Sequence, residues 1–175
     1  MDNVPELTDG VVTLRALGVA DVDGIVEQCT DLESIRWTTV PVPYGPDDAV
    51  DWVTRMVPQG WADGGDLTFA VVHQGRFAGS VALFPGPSRV AEIAFGLAAW
   101  ARGQGVASRA VRLLLDWGFG ELGLSSVYWR ANVGNWGSRR VAERAGFVIG
   151  PEVPNLLEQR GEFRDAWTGW LAAPR

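Results

Sequence analysis

Apolar residues recur along the chain at two spacings, which predict a mixture of helices and strands. The clearest helix covers residues 105–119, where Val106, Ala110 and Leu114 lie four positions apart. Shorter helical patterns cover residues 21–29, 46–57 and 135–145. Alternating or continuous apolar segments predict strands at residues 11–15, 67–72, 77–83, 90–97, 126–132, 156–159 and 164–171.

Turn-forming residues separate these segments. Residues 73–76 predict a hairpin turn, the Gly- and Asp-rich segment 61–66 predicts a loop, and Gly146 is typical of a helix C-cap. A last hairpin is expected around residues 160–162. The predicted order is strand, two helices, three strands, helix, strand, helix and two strands, with one clear crossover helix. We therefore expect a single mixed α/β domain over residues 1–175.

Charge and composition narrow the range of partners. The 175 residues carry a formal net charge of -6, which argues against nucleic acid or an anionic membrane surface as the main partner. No apolar segment is long enough to cross a bilayer. Residues Met1–Glu6 lack a basic segment followed by an apolar one, so no signal peptide is predicted and a cytoplasmic protein is expected.

The residue types that are absent or single exclude several kinds of chemistry. All 15 basic residues are arginine, which excludes a Schiff-base lysine and a Walker-type phosphate loop. One cysteine, Cys29, and one histidine, His73, provide neither an internal disulfide nor a His/Cys metal cluster. We expect Cys29 to pack in the core, His73 to be an exposed turn residue, and no metal to be bound.

The segment from Arg102 to Ala107 connects a predicted strand to the clearest helix and contains two glycines. Glycine allows sharp turns, free N–H groups at a helix start attract anions, and an arginine fork suits phosphate oxygens. The segment therefore favours a phosphate cradle, with an ordinary strand-to-helix turn as the alternative. A dinucleotide fingerprint does not fit, because Ser108 stands where the third glycine is required.

Residues 102–107 resemble the Q/R-x-x-G-x-G/A signature of the GNAT acetyltransferase superfamily. The resemblance extends in order over essentially the whole chain and is closest to the RimJ/RimL-like branch, through Leu14-Arg15, Ala91–Phe95, Asn135–Ser138, Gly146-Phe147 and Arg160–Asp165. It implies a central, mixed, mostly antiparallel twisted sheet of six to seven strands flanked by about four helices. It also implies acetyl-CoA or a related acyl-CoA as co-substrate, a primary amine as acceptor, and a homodimer.

Carried over residue by residue, the resemblance implies a set of cofactor-binding positions. The pyrophosphate would lie on the glycine loop, the pantetheine arm along the end of the preceding strand, and the thiol near the helix that follows. The residues at these positions are Phe95, Gly96, Leu97, Ala98, Arg102, Gly103, Gln104, Gly105, Val106, Ala107, Ser108, Asn135 and Ser138.

The same resemblance implies two catalytic residues. Alternation along the strand places Glu92 on one face with two small residues, which leaves space for a ligand, and some family members carry their general base at this position. An ion pair with an arginine, or exposure to solvent, is the alternative for Glu92. Many members carry an acidic tyrosine where this chain has Ala142, so Ser138 is the expected proton donor. Helix capping or a cofactor contact is the alternative for Ser138.

The sequence does not identify the amine acceptor or the acyl group of the donor. Family members build the acceptor pocket from the first two helices and the last hairpin, which here carry Trp37, Tyr44, Trp52, Trp61 and Trp167 beside several aspartates. The acceptor could be a protein N-terminus or a small-molecule amine. Two alternatives are another donor such as succinyl-CoA, whose carboxylate would require an arginine near Glu92, and a non-catalytic acyl-CoA-binding module.

Overall fold

The computed structural model describes residues 4–174, so the first three residues of the N-terminal segment considered above lie outside the described part. A single sheet dominates the fold, with strand order β1-β2-β3-β4-β5-β6-β9-β7 and with β8 paired to β9. Its strands are β1 Leu7–Thr8, β2 Val12–Arg15, β3 Leu67–His73, β4 Arg76–Pro85, β5 Val90–Leu97, β6 Ser126–Asn132, β7 Val148–Ile149, β8 Val153–Gln159 and β9 Glu162–Ala172.

Six α-helical segments accompany the sheet within the described residues. They are α1 Val22–Thr30, α2 Leu32–Trp37, α3 Pro46–Asp51, α4 Val57–Asp63, α5 Val106–Gly120 and α6 Trp136–Ala145. A π-helical turn, Trp52–Met56, joins α3 and α4 without interruption. Helical structure therefore continues to Asp63, and the loop predicted from residue 61 is wrong there. The helix ends at Gly64, whose φ of +69° favours glycine.

The predicted mixed α/β class and the implied sheet architecture are confirmed. Every strand pair is antiparallel except β5–β6, which is parallel and is connected by the crossover helix α5. All seven predicted strands are present. The nine-stranded count exceeds the implied six to seven because β1 and β7, of two residues each, also join the sheet. Segments that short carry no periodicity, and α2 of six residues was missed for the same reason.

Two apolar layers cover the sheet. On one face α5, with the fully buried Leu114, and α6 pack on side chains of β4, β5 and β6, including the fully buried Ile93 and Trp129. On the other face α1, α3 and α4 form a smaller cluster with Leu17, Ile25, Val53, Ala70 and Phe77. No helix within residues 4–174 is long and apolar enough to cross a membrane.

Candidate active site

A cleft opens where β5 and β6 separate. The two strands pair in parallel from Val90 and Ser126 to Ile93 and Trp129, and beyond this point each continues without pairing to the other. The opposite edge of β5 stays bonded to β4 as far as Leu97. Among the described residues, the β5 edge that faces β6 therefore has no ladder partner after Ile93, and it borders a cleft of about 450 Å³.

The glycine loop closes one end of this cleft. Gly103 and Gly105 have φ values of +74° and +77°, and Gly105 is the N-cap of α5. Residues other than glycine rarely adopt this left-handed conformation, so the backbone path itself requires both glycines. Within residues 4–174, no side chain caps the first turn of α5, and a Cβ at either glycine would meet no atom within 4 Å beyond its chain neighbours. The loop thus presents backbone N–H groups beside open space.

Arg102 connects the glycine loop to α2 across the cleft. Its Nη2 donates to Asp31 Oδ2 at 2.7 Å and to Ser34 Oγ at 3.1 Å, and its Nε donates to the Leu97 carbonyl at 3.1 Å. Burial of the Asp31 carboxyl opposes its ionisation, but hydrogen bonds from Arg102 and from the Ser34 N–H outweigh burial and lower the pKa of Asp31. Arg102 lines the cleft, and its Nη1 has no hydrogen-bond partner within residues 4–174.

The wall that carries α2 is also held from the β8–β9 turn. Gln159 Nε2 donates to the carbonyls of Arg36 and Thr38 at 3.0 and 2.7 Å, and Arg160 donates to those of Ile35 and Val40 at 2.8 Å each. The bonds to Ile35 and Arg36 satisfy carbonyls that α2 leaves free at its C-terminus, and those to Thr38 and Val40 hold the segment that follows. They fix the position of α2, whose residues Glu33, Ser34 and Trp37 line the cleft together with the C-cap residue Thr38.

The start of α6 forms the opposite wall and carries Asn135 and Ser138. Asn135 is the N-cap of α6, and its Oδ1 accepts from the Ser138 N–H at 3.1 Å. The Ser138 hydroxyl oxygen accepts from the buried Trp129 indole N–H at 2.9 Å. Asn135, not Ser138, therefore caps α6, and both residues line the cleft.

Glu92 lies opposite Tyr128, one residue before the last paired position of β5 and β6. Its two oxygens accept from Arg130 Nε at 2.9 Å and from Arg130 Nη2 at 2.6 Å, and Oε2 also accepts from the Tyr128 hydroxyl at 3.0 Å. Burial and the charge of Glu92 raise the pKa of Tyr128, which stays protonated and donates. Glu92 is not among the residues that line the cleft. The ion pair considered from the sequence is present, and a role as general base stays a prediction.

The predicted cofactor positions divide into two groups. The cleft lining includes Phe95, Gly96, Leu97, Arg102, Gly103, Ala107, Asn135 and Ser138. It does not include Ala98, Gln104, Gly105, Val106 and Ser108. Two of these, Ala98 and Val106, are buried at 1% exposure, and Gln104 donates to the Trp100 carbonyl instead. Roles for all thirteen positions stay predictions, and within residues 4–174 no cluster of side chains could hold a metal ion.

Among the predicted acceptor aromatics, only Trp37 lines the cleft. Its Nε1 donates to Glu33 Oε2 at 2.8 Å. Tyr44, Trp52 and Trp61 pack against the apolar cluster beneath α1 and α3, because they lie on or beside helices whose apolar side faces the sheet.

Sequence reasoning missed several contributors to the cleft, of which Trp136 and Glu33 have the largest side chains. Trp136 lines the cleft and packs against Trp167 with ring centroids 4.6 Å apart, although its place directly after Asn135 was a signal. Glu33 lies on the unpredicted helix α2.

Comparisons with known proteins agree with this geometry. The family model described as acetyltransferase (GNAT) domain matches residues 12–148. RimL, a ribosomal L7/L12 alpha-N-protein acetyltransferase in complex with coenzyme A, has a TM-score of 0.86 at 16% identity, with 96% of this chain and 98% of that chain covered. Mycobacterium smegmatis RimJ in complex with CoA-disulfide has a TM-score of 0.83 at 23% identity, covering 97% and 87%.

A third solved structure is the microcin C7 self-immunity acetyltransferase MccE with acetyl-CoA and AMP. It has a TM-score of 0.85 at 17% identity, covering 94% of this chain and 93% of that chain. At these identities the likeness concerns the fold. No curated protein has significant sequence similarity to the chain.

Proposed function

This chain belongs to the GNAT acetyltransferase family, and on that premise we propose that it transfers the acetyl group of acetyl-CoA to a primary amine. One observation carries the proposal. The cleft between the separated ends of β5 and β6 has an unpaired strand edge on one side, the glycine loop at one end and a hydroxyl side chain on the other side. The amides of a pantetheine arm can form hydrogen bonds with the unpaired strand edge. The N–H groups of the glycine loop and the start of α5 can bind a pyrophosphate.

The residues present fit this cofactor. Gly103, Gly105 and the uncapped first turn of α5 would hold the pyrophosphate, with Arg102 Nη1 as a further donor. The β5 edge from Phe95 to Leu97 would bind the pantetheine amides. When bound, acetyl-CoA supplies a thioester carbonyl that the amine nitrogen attacks, with cleavage of the carbon–sulfur bond. The Ser138 hydroxyl would donate a hydrogen bond to the departing sulfur.

Binding is tested by the thermal shift that CoA produces. A ligand at one hundred times its Kd stabilises the folded state by about 2.7 kcal/mol, which for a chain of this size raises Tm by roughly 5–10 °C. Coenzyme A and acetyl-CoA should both produce the shift, whereas AMP alone should produce much less. Absence of any shift at saturating CoA would contradict the proposed cofactor site and every acyl-CoA function considered for this cleft.

Turnover is tested by thiol release from acetyl-CoA with a panel of primary amines. The panel pairs protein N-terminal peptides with small-molecule amines, the two acceptor classes that stay open. RimL is an alpha-N-protein acetyltransferase, and the MccE structure contains AMP, so the panel includes an N-terminal peptide and a nucleotide that carries a primary amine. Binding of CoA without thiol release on any amine would instead support a non-catalytic acyl-CoA-binding module.

The role of Glu92 is tested by Glu92→Gln. If Glu92 accepts the proton of the amine, the variant should lower kcat by about 10²-fold or more and change the pH profile of kcat. Arg130→Gln is the matched control, because it breaks the same ion pair and leaves the carboxylate in place. An unchanged rate and pH profile in Glu92→Gln would show that the amine loses its proton elsewhere, for instance to water.

A second donor is favoured by one specific observation. Arg130 lies against Glu92, so an arginine is present where a donor with a carboxylate, such as succinyl-CoA, would require one, and the donor carboxylate would compete with Glu92 for it. Comparison of kcat/KM for acetyl-CoA and succinyl-CoA tests this alternative. If the succinyl donor is used, Arg130→Gln should reduce its kcat/KM at least tenfold more than that of acetyl-CoA. Equal losses for both donors would contradict recognition of the carboxylate by Arg130.

We also propose placement in the RimJ/RimL-like branch, a homodimeric state and a cytoplasmic location, with no nucleic-acid or membrane partner. The likeness to RimL and RimJ supports the branch, and the net charge of -6 supports the last point. The homodimer rests on the family resemblance alone. Light scattering of the purified chain at several concentrations tests it, and a constant monomer mass would contradict it.

A further inference from the structure

Trp129 occupies the point at which the cleft begins. It is the last residue of β6 that pairs with β5, opposite Ile93, and its side chain is 1% exposed. From this buried position its indole Nε1 donates to Ser138 Oγ at 2.9 Å. The contact joins a rigid part of the sheet to the one hydroxyl side chain of α6, and Ser138 lines the cleft.

The direction of this hydrogen bond is fixed by chemistry. An indole N–H can only donate, whereas a serine hydroxyl has one proton and two lone pairs. Ser138 Oγ must therefore accept from Trp129, and its own proton stays available for a second partner. No hydrogen bond within residues 4–174 uses that proton, since the Ser138 N–H, not the hydroxyl, bonds to Asn135.

Two other hydroxyls line the cleft, both on the side of α2. The Thr38 hydroxyl donates its proton to the Ser34 carbonyl at 2.6 Å. Ser34 Oγ accepts from Arg102, so it is held by the glycine-loop end of the cleft and not by the sheet. Ser138 is thus the hydroxyl on the α6 wall with an oriented oxygen and an unused proton. At the following turn of the helix Ala142 is fully buried and offers no donor.

We propose that Trp129 is a positioning residue for acyl transfer, which orients and polarises the Ser138 hydroxyl so that its proton is directed into the cleft. A hydroxyl that accepts one hydrogen bond becomes a better donor in the next, because successive hydrogen bonds polarise one another. The buried indole also prevents Ser138 from turning its proton toward the sheet. The inference rests on the proposed function, in which Ser138 donates to the departing sulfur.

Substitution of Trp129 by Phe removes the N–H and keeps an aromatic ring in the core. We expect kcat to fall about tenfold in Trp129→Phe and about a hundredfold in Ser138→Ala, with KM for acetyl-CoA and amine within threefold of wild type. The double variant should be no slower than Ser138→Ala alone, because Trp129 acts only through Ser138. Trp61→Phe is the matched control, because it removes an equivalent indole hydrogen bond, to the Thr68 carbonyl, away from the cleft.

If Trp129→Phe fails to fold, 3-benzothienylalanine is incorporated at position 129 instead. In this residue sulfur replaces the indole N–H and the ring keeps its size. The proposal is overturned if this variant or Trp129→Phe keeps the wild-type kcat, or if the Trp129 and Ser138 losses multiply in the double variant. It is also overturned if Trp61→Phe loses as much kcat as Trp129→Phe. If the wild-type chain itself releases no thiol with any amine, the proposed function fails, and the positioning role fails with it.

Discussion

The Arg102–Asp31 pair gives a prediction whose magnitude follows from the hydrogen-bond geometry. Both bonds of Asp31, from Arg102 Nη2 at 2.7 Å and from the Ser34 N–H at 3.0 Å, are accepted by the same oxygen, Oδ2. An asparagine can keep both bonds and still cap α2, because Asn and Asp are equivalent N-caps. Asp31→Asn therefore removes only the charge, whereas Asp31→Ala removes the charge, the pair and the cap.

The two substitutions should differ in size. A hydrogen bond to a charged group contributes about 1.5–3 kcal/mol, and partial exposure of the two side chains, 35% and 23%, lowers this to about 1–2 kcal/mol. Loss of the charge alone should cost about 1 kcal/mol. Loss of the cap should add about 1 kcal/mol to the cost of losing the whole pair. We expect Asp31→Asn to lower the free energy of unfolding by about 1 kcal/mol and Asp31→Ala by about 2–3 kcal/mol, measured by urea denaturation.

The pH dependence of the difference has a defined sign. The pKa of Asp31 is lowered in the folded state, so the ionised form contributes stability above the unfolded pKa of about 3.9. This contribution is lost as the pH falls through the lower folded value. The stability difference between wild type and Asp31→Asn should be full at pH 7 and should narrow below about pH 4. Equal stabilities at pH 7, or a difference that grows as the pH falls, would refute the role assigned to the pair.

Two further predictions concern single residues. Gly105→Ala should cost about 1–2 kcal/mol of stability and weaken CoA binding, because this N-cap residue of α5 has a φ of +77°. The control Gly120→Ala, at the other end of α5, should be neutral or stabilising. Urea denaturation with CoA titration checks both, and equal losses would contradict the backbone argument. Burial raises the pKa of Cys29 to about 11, so its thiol should react with iodoacetamide at pH 7.5 far more slowly in the folded chain than in urea. Equal rates would contradict this.

Most elements were predictable because their information is local. The strands Val90–Leu97 and Ser126–Asn132 match the predicted ranges at both ends, since alternation over seven or eight residues is sufficient to define them. The helix from residue 46 was predicted too short, because Pro58 and Gly60 resemble a helix end. In the structure the π-helical turn before Pro58 accommodates the proline that cannot donate a backbone hydrogen bond.

Local sequence was sufficient to specify the alternation of β5, the glycine loop and the helix that follows it, because spacing and backbone preference act within a few residues. The contacts of the side chains around the loop depend instead on long-range packing. Arg102 bonds Asp31 across 71 positions of sequence and Glu92 pairs with Arg130 across 38, and the Trp129 indole orients Ser138. Such contacts depend on the register of β5 against β6 and on where the two strands separate. Neither is encoded by local periodicity, since one periodic pattern is compatible with several registers.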